Sequence, residues 1–489
     1  MAATGFLQYQ EPDILSLLVL ISFFFFLSSL GWVFNKIIGA GLIGQILVGV
    51  LCGTPVGNIL DTEWQDTFMV LGYIGLILII FEGGLSIRLD LLKANFLLSV
   101  LAATIGITTP IALCYLILFL GFGYGALETF IVGAALSTTS IGTTFIVINN
   151  SASVDLTHTK VGTVLVSAAL FDDVVGLIMV SVISNLGGFK DGGGTSIGWV
   201  VGRPIVASFA IGAISPLLAK YVAGPLYRQL LEKRVASLGQ KTSICIMTLI
   251  MSAHIVICAY AGASLLFGAF LAGAFLNALP RQPTDPVQLE GGEMQEAPGF
   301  HAAFETYVSG AQAFILEPLF FASIGFAIPF KRLWTETIIW RGIVFSLLMA
   351  IGKAVVGLSV PLLDFFSRTP LCEEKPAPGA RASSNAWAAA TLLGMAMIAR
   401  GEIGLLIIQL GLNTTSALSE EAFLVAIWAI VLNTILGPVS VALLLKRSEK
   451  AIAGDPRWGI QEKGRLEDSG ASGALRRCQS RLASSITET

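Results

Sequence analysis

Ser167-Ala168-Ala169-Leu170-Phe171-Asp172-Asp173-Val174-Val175-Gly176-Leu177-Ile178 is the stretch on which the reading of this chain turns. Two adjacent aspartates sit at the centre of an apolar run from about Val161 to Ile183. That run is long enough to cross a bilayer, and its carboxylates fall near the midplane. A charge at that depth costs roughly 2.5–3.5 kcal/mol on insertion scales. Two neighbouring carboxylates cost more, unless they share protons or hold a cation. The bland alternative is a pair of structural carboxylates satisfied by neighbouring helices. Intramembrane ionisable residues are functional by default, so the pair is read as a working site.

Composition sets the frame around it. The chain has 489 residues, 55% hydrophobic and only 12% charged, with a mean hydropathy of +0.81. Soluble domains carry about twice that charge, so a polytopic membrane protein is expected. The 30 Phe and 52 Gly suit lipid-facing surface and close helix packing. The net charge of −3 gives no sign of nucleic-acid binding. Six cysteines and three histidines (His158, His254, His301) are scattered, with no spacing of a metal site or a disulfide framework. No cofactor is expected, and no nucleophile–base pair marks an enzyme. The N-terminus lacks a basic stretch and a small-residue cleavage site, so the first apolar run reads as a retained helix.

Thirteen apolar segments of spanning length follow, at about 14–34, 37–53, 66–85, 96–120, 124–147, 160–184, 199–222, 241–257, 259–278, 310–329, 339–363, 384–411 and 421–446. The segment at 37–53 is short and Gly-rich, and 241–278 could divide differently around Ala259–Ala263. Most loop Lys and Arg then fall on one side, including Lys36, Arg88, Lys93, Lys160, Lys233, Arg234, Arg381 and Lys446. The positive-inside rule puts the N-terminus outside and the C-terminus in the cytoplasm. Residues 1–447 thus form one transmembrane domain. Residues 281–309 read as a polar cytoplasmic loop within it, and 448–489 as a disordered cytoplasmic tail. Asn413-Thr414-Thr415 is a glycosylation sequon on the predicted outside, close to the membrane.

Other ionisable residues share the aspartates' depth. Lys353, in Gly352-Lys353-Ala354, is near the centre of segment eleven. A lone lysine there requires a carboxylate partner or loses its proton, and a Lys–Asp pair is the economical solution. Such a pair could lock two helices permanently, or break when a cation or proton arrives. The second carboxylate favours the latter. Segment twelve carries Arg400-Gly401-Glu402, whose charges do not face each other on a regular helix and whose glycines predict an interruption. Segment five carries Ser137-Thr138-Thr139-Ser140-Ile141-Gly142-Thr143-Thr144, six hydroxyls around one Gly. Alone it would read as a helix-packing seam. The two interrupted segments, however, are seven apart in the count, the pattern of inverted repeats with discontinuous helices at a midplane site. Phe81-Glu82-Gly83-Gly84 in segment three and Glu317-Pro318-Leu319-Phe320 in segment ten repeat the offset. Segments two to six and nine to thirteen are therefore expected to form the repeats, with seven and eight as linker.

On these motifs, over roughly residues 14–446, the chain resembles the cation:proton antiporter superfamily, in its second branch of NapA-like and Kef-like transporters. The resemblance implies an all-α inverted-repeat fold with a dimerisation domain, a mobile core and two crossing broken helices. It implies Asp173 as the main cation- and proton-binding carboxylate and Asp172 as the partner of Lys353. Thr138 and Thr139 would lie at the crossing and help coordinate the ion. Arg400 and Glu402 would stabilise the crossing, with Glu82 as a partner for Arg400. The implied activity is exchange of Na+, or K+ or Li+, for protons by a homodimer in a lipid bilayer, the plasma membrane rather than an organelle. The tail over 448–489 reads as too short for the nucleotide-binding domain of the Kef-like channels, which is therefore not expected. The alternatives are a gated or passive cation channel and a sodium-coupled organic-anion symporter.

Overall fold

A computed structural model of the chain describes residues 11–87, 95–140, 159–187, 197–231, 240–279, 299–362, 386–453 and 458. Among these the architecture is helical, and helix falls on every one of the thirteen apolar segments. Nine helices are long and apolar enough to cross a membrane on their own, and five apolar helices are shorter. Helix length alone therefore supports nine crossings among the described residues, not thirteen. Four segments carry only shorter helices: two (Gly41–Cys52) and nine (Leu265–Asn277), and five and twelve, which the chain breaks partway.

The residues compact into two units. The first comprises residues 1–79 and 305–335. It holds α1 (Ile14–Ile38), α2 (Gly41–Cys52) and α3 (Thr62–Leu85) as far as Ile79. From the second stretch it adds Glu317–Phe326, labelled α11 below. Gly39 ends α1 with φ 74°, a left-handed conformation that suits a residue without Cβ. α2 and α11 meet backbone to backbone: a Cβ on Gly49 would lie 2.1 Å from the Ala322 carbonyl oxygen, and one on Gly325 2.3 Å from that of Ile46. Phe23 stacks on Phe68, ring centroids 5.3 Å apart, in an apolar cluster with Leu27, Val48, Leu319 and Phe326.

The second unit comprises residues 80–304 and 336–489. Its helices are α4 (Phe96–Cys114), α5 (Ala126–Ser137), α6 (Lys160–Gly187), α7 (Ile197–Leu218), α8 (Gln240–Ala261), α9 (Leu265–Asn277) and α10 (Phe300–Tyr307) as far as Phe304. After α11 come α12 (Glu336–Ala354), α13 (Ala386–Ala396), α14 (Glu402–Thr414) and α15 (Glu420–Ala453). The ambiguous stretch 241–278 divides at Gly262, whose φ of 92° stops α8, and Ser264 then caps α9 by accepting from Leu266 N–H at 3.2 Å. Pro110 lies inside α4, which widens into a π-helical turn over Tyr115–Gly121. α7 holds Pro204 and Pro216 and widens likewise at Ala219–Ala223. Each proline removes one N–H from the ladder, the usual cause of such irregularity.

Two boundaries differ from the sequence reading. The polar loop expected over 281–309 is already helical from Phe300, where α10 begins. Burial explains the shift: Phe300, Ala303 and Phe304 turn one apolar face inward. The tail expected to be disordered from 448 starts as helix, since α15 runs on to Ala453. Trp458 is then only 2% exposed, packed in an apolar cluster with Val161, Val164, Leu445 and Ile452. Residues 280–298, 454–457 and 459–489 lie outside the described residues.

Candidate functional site

The site is built where α6 passes two interrupted helices. Asp172 and Asp173 occur midway along α6. Adjacent helix residues project about 100° apart, so the two carboxylates meet different surroundings. Asp172 is 1% exposed, whereas Asp173 is half-buried.

Lys353, near the C-terminal end of α12, is fully buried and brings its Nζ to 2.5 Å from Asp172 Oδ2. The same Nζ donates to Thr139 Oγ1 at 2.8 Å, and that hydroxyl donates to Asp172 Oδ2 at 2.8 Å. The three side chains close a triangle of hydrogen bonds away from water. Among the described residues Asp172 Oδ1 has no hydrogen-bond partner. Gly106 on α4 leaves room for the ammonium: a Cβ there would come within 3.3 Å of Nζ. Asp173 has no hydrogen bond or ion pair among the described residues.

The interruptions are visible on both sides. α5 stops at Ser137, Thr138 is extended, and the chain runs on without helix to Ser140. The rest of the hydroxyl-rich stretch, including Thr143 and Thr144, lies outside the described residues. α13 stops at Ala396, and the chain runs without helix to Gly401 before α14 starts at Glu402. The two non-helical stretches touch: Ser140 N–H donates to the Ala399 carbonyl at 2.9 Å. Arg400, fully buried, donates from Nη1 to the Thr138 carbonyl at 2.9 Å. α5 and α13 both end here, so their partial negative charges gather at the crossing, and the Arg400 guanidinium offsets them. Glu402, half-buried in the first turn of α14, sits at a partially positive helix end, which suits a carboxylate. Gly176, one turn after Asp172, lets α6 approach both broken helices. A Cβ there would stand 2.7 Å from Thr138 Cγ2 and 3.1 Å from Ile403 Cγ2.

Six of the residues singled out in the sequence therefore gather: Asp172, Thr139 and Lys353 in one triangle, Thr138, Arg400 and Glu402 at the crossing. Asp173 adjoins them. Glu82 does not join Arg400, whose hydrogen bond goes to the Thr138 carbonyl while Nε and Nη2 have none. Glu82 is half-buried in the last turn of α3.

Two residues at the site escape a reading keyed to charge. Thr434, buried in the middle of α15, donates to the Arg400 carbonyl at 2.9 Å and to Ile430 O at 2.7 Å. Its neighbour Asn433 is buried too, with Oδ1 3.4 Å from Ser346 Oγ on α12. Their signal was available: an uncharged polar pair in the apolar run 421–446. At the α4–α5 turn, Arg341 donates to the Tyr124 hydroxyl at 3.1 Å and pairs with Glu421.

Comparison with known proteins bears on this arrangement. A family model described as sodium/hydrogen exchanger, transmembrane, matches residues 14–447. The chain is 27% identical over 412 residues to a Na+/H+ antiporter of Enterococcus hirae, covering 83% of this chain and 92% of that one. It is 25% identical over 413 residues to the high-affinity Na+/H+ antiporter NhaS3 of Synechocystis, covering 84% of this chain and 78% of that one. Among solved structures it is similar to the sodium proton antiporter MjNhaP1 of Methanocaldococcus jannaschii. The TM-score is 0.57, covering 88% of this chain and 99% of that one at 16% identity, a likeness of fold.

Proposed function

The chain belongs to the sodium/hydrogen exchanger family, a family of cation:proton antiporters, and on that premise we propose that it exchanges Na+ for protons at Asp173 by alternating access. The observation that carries the site assignment is the contrast between the two aspartates. Asp172 is sealed and paired with Lys353, while Asp173 is half-buried and free of hydrogen bonds among the described residues. A carboxylate that binds and releases cargo needs an unspent lone pair, and Asp173, half-buried and without a hydrogen bond among the described residues, offers one.

The chemistry is competition for one group. Ionised Asp173 offers hard oxygen ligands to an alkali cation, and protonated Asp173 does not. A site that holds either a cation or a proton, and crosses only when loaded, couples the two fluxes. Thr138 and Thr139 bring hydroxyls to the crossing, and Glu402 stands in the first turn of α14 beside it. Lys353 balances Asp172 while the site is empty. If the Lys353–Asp172 pair opens and Lys353 releases its proton, two protons exchange for each cation and transport is electrogenic. Arg400 holds the crossing together through the Thr138 carbonyl. K+ and Li+ are alternative cargoes. The reading further takes the protein as a homodimer in the plasma membrane, N-terminus outside and C-terminus cytoplasmic.

The test is reconstitution of the full chain in liposomes with a trapped pH indicator and an imposed Na+, K+ or Li+ gradient. Antiport predicts proton movement opposite to the cation. Tracer cation flux with no proton movement would replace antiport by a channel.

A further inference from the structure

We propose that Trp458 is a positioning residue for the cation site: it clamps the Lys160 end of α6 to the end of α15, and so sets the cation affinity of Asp173. The proposal rests on the antiport reading above.

Three contacts make the clamp. The first N–H groups of any helix lack intrahelical partners. In α6 the N–H of Val161 donates to the Trp458 carbonyl at 3.3 Å, and that of Gly162 to Thr159 Oγ1 at 3.1 Å. The Lys160 ammonium stands 5.0 Å from the centre of the indole ring, a cation–π distance. The indole itself is 2% exposed and joins Val161, Val164 and Leu165 of α6 to Leu445 and Ile452 of α15. A single residue beyond α15 thus satisfies a backbone donor, a charge and an apolar cluster at the foot of the aspartate-bearing helix.

What this foot controls follows from the middle of α15. Thr434 holds the Arg400 carbonyl at 2.9 Å, so α15 is fixed to the crossing. Through Trp458 it is fixed to α6 as well. Asp173 lies twelve residues along α6 from Val161, about 18 Å at the rise of an α-helix. A tilt of α6 at its foot would shift that carboxylate against the groups of the crossing. A misplacement of about 1 Å is enough to weaken a site that depends on converging groups. The bland alternative is a tryptophan that contributes burial and nothing else. It predicts a loss of stability with unchanged cation affinity.

The experiment is the Na+ concentration dependence of proton flux in proteoliposomes of the full chain, for wild type, Trp458→Ala, Trp458→Phe and Lys160→Gln. Trp458→Ala is expected to raise the half-saturating Na+ concentration about threefold or more, with a smaller change in maximal rate. Trp458→Phe keeps a ring under Lys160 and should stay close to wild type. Lys160→Gln should move in the same direction as Trp458→Ala. Folded Trp458→Ala with wild-type half-saturation, even with a lower melting temperature, overturns the clamp. Should Trp458→Ala not fold, Lys160→Gln decides: wild-type half-saturation there overturns it equally. A wild type that moves no protons with Na+, K+ or Li+ overturns the antiport reading and this proposal with it. An active wild type with unchanged variants overturns this proposal alone.

Discussion

Replacing Lys353 by methionine is predicted to destabilise the protein by about 3–5 kcal/mol, the usual cost of removing one partner from a buried ion pair. The structure gives reason to expect the full range. Lys353 and Asp172 are 0% and 1% exposed, so water cannot take over the lost interaction. Nζ makes two bonds at once, 2.5 Å to Asp172 Oδ2 and 2.8 Å to Thr139 Oγ1. Without it Asp172 keeps only the Thr139 hydroxyl among the described residues, with Oδ1 already unpartnered there. The desolvation cost of the carboxylate is then uncompensated. Combining Lys353→Met with Asp172→Asn removes both charges, and the double variant should be more stable than Lys353→Met alone by about 2 kcal/mol or more, a strong non-additivity between contacting residues. Thermal unfolding of the purified variants in one detergent, at one pH and salt, measures this cycle. A Lys353→Met protein as stable as wild type, or a double variant whose loss is the sum of the singles, would refute the buried pair. Exchange should fall in Lys353→Met without vanishing, since cargo is assigned to Asp173.

Gly176→Ala forces a methyl to 2.7 Å from Thr138 Cγ2, and overpacking of this kind costs about 1–3 kcal/mol, so melting temperature and exchange should both fall. Gly198→Ala on α7, where a Cβ meets nothing within 4 Å, is the control and should leave both unchanged or slightly improved. Glu128 is 7% exposed and accepts from Gly125 N–H at 3.0 Å, from Ser419 N–H at 2.9 Å and from the Ser419 hydroxyl. A glutamine can supply only one acceptor oxygen, and Glu128→Gln should cost about 1–3 kcal/mol in the same unfolding assay, with wild-type stability counting against the tie between α5 and α15. Thr434→Val keeps shape but leaves the Arg400 carbonyl without its donor. Its exchange rate should drop, Thr434→Ser should restore it, and equal rates in both would remove Thr434 from the site. Finally, the half-saturating cation concentration should rise as pH falls. Protons and cation compete for one carboxylate, and a pH-independent value would argue for separate sites.

Much of this was legible in the sequence because charge in an apolar run is costly. Asp172, Asp173, Lys353 and Arg400 stand out against their surroundings, and burying a lysine beside a carboxylate is the inexpensive arrangement. The helix breaks at Ser137 and Ala396 were legible too, through clustered hydroxyls and through Gly401 next to two charges. The partner of Arg400 was not. Arginine donates as well to a helix-end carbonyl as to a carboxylate, and only three-dimensional placement of Thr138 decides between that carbonyl and Glu82. Thr434 and Asn433 escaped because uncharged polar residues are common in membrane helices. Trp458 escaped for a different reason. Its sequence neighbours are polar, and the cluster that buries it draws on α6, nearly 300 residues away, as well as on the end of α15. Composition describes a segment by its own residues, whereas burial depends on what meets it.

The most direct test of the central claim is the exchange activity of Asp173→Asn beside Asp172→Asn and wild type in proteoliposomes with a trapped pH indicator. Asp173→Asn is predicted to be folded and to move no protons on addition of Na+, K+ or Li+, while wild type does. Antiport retained in Asp173→Asn would contradict the assignment and move the cation to another group.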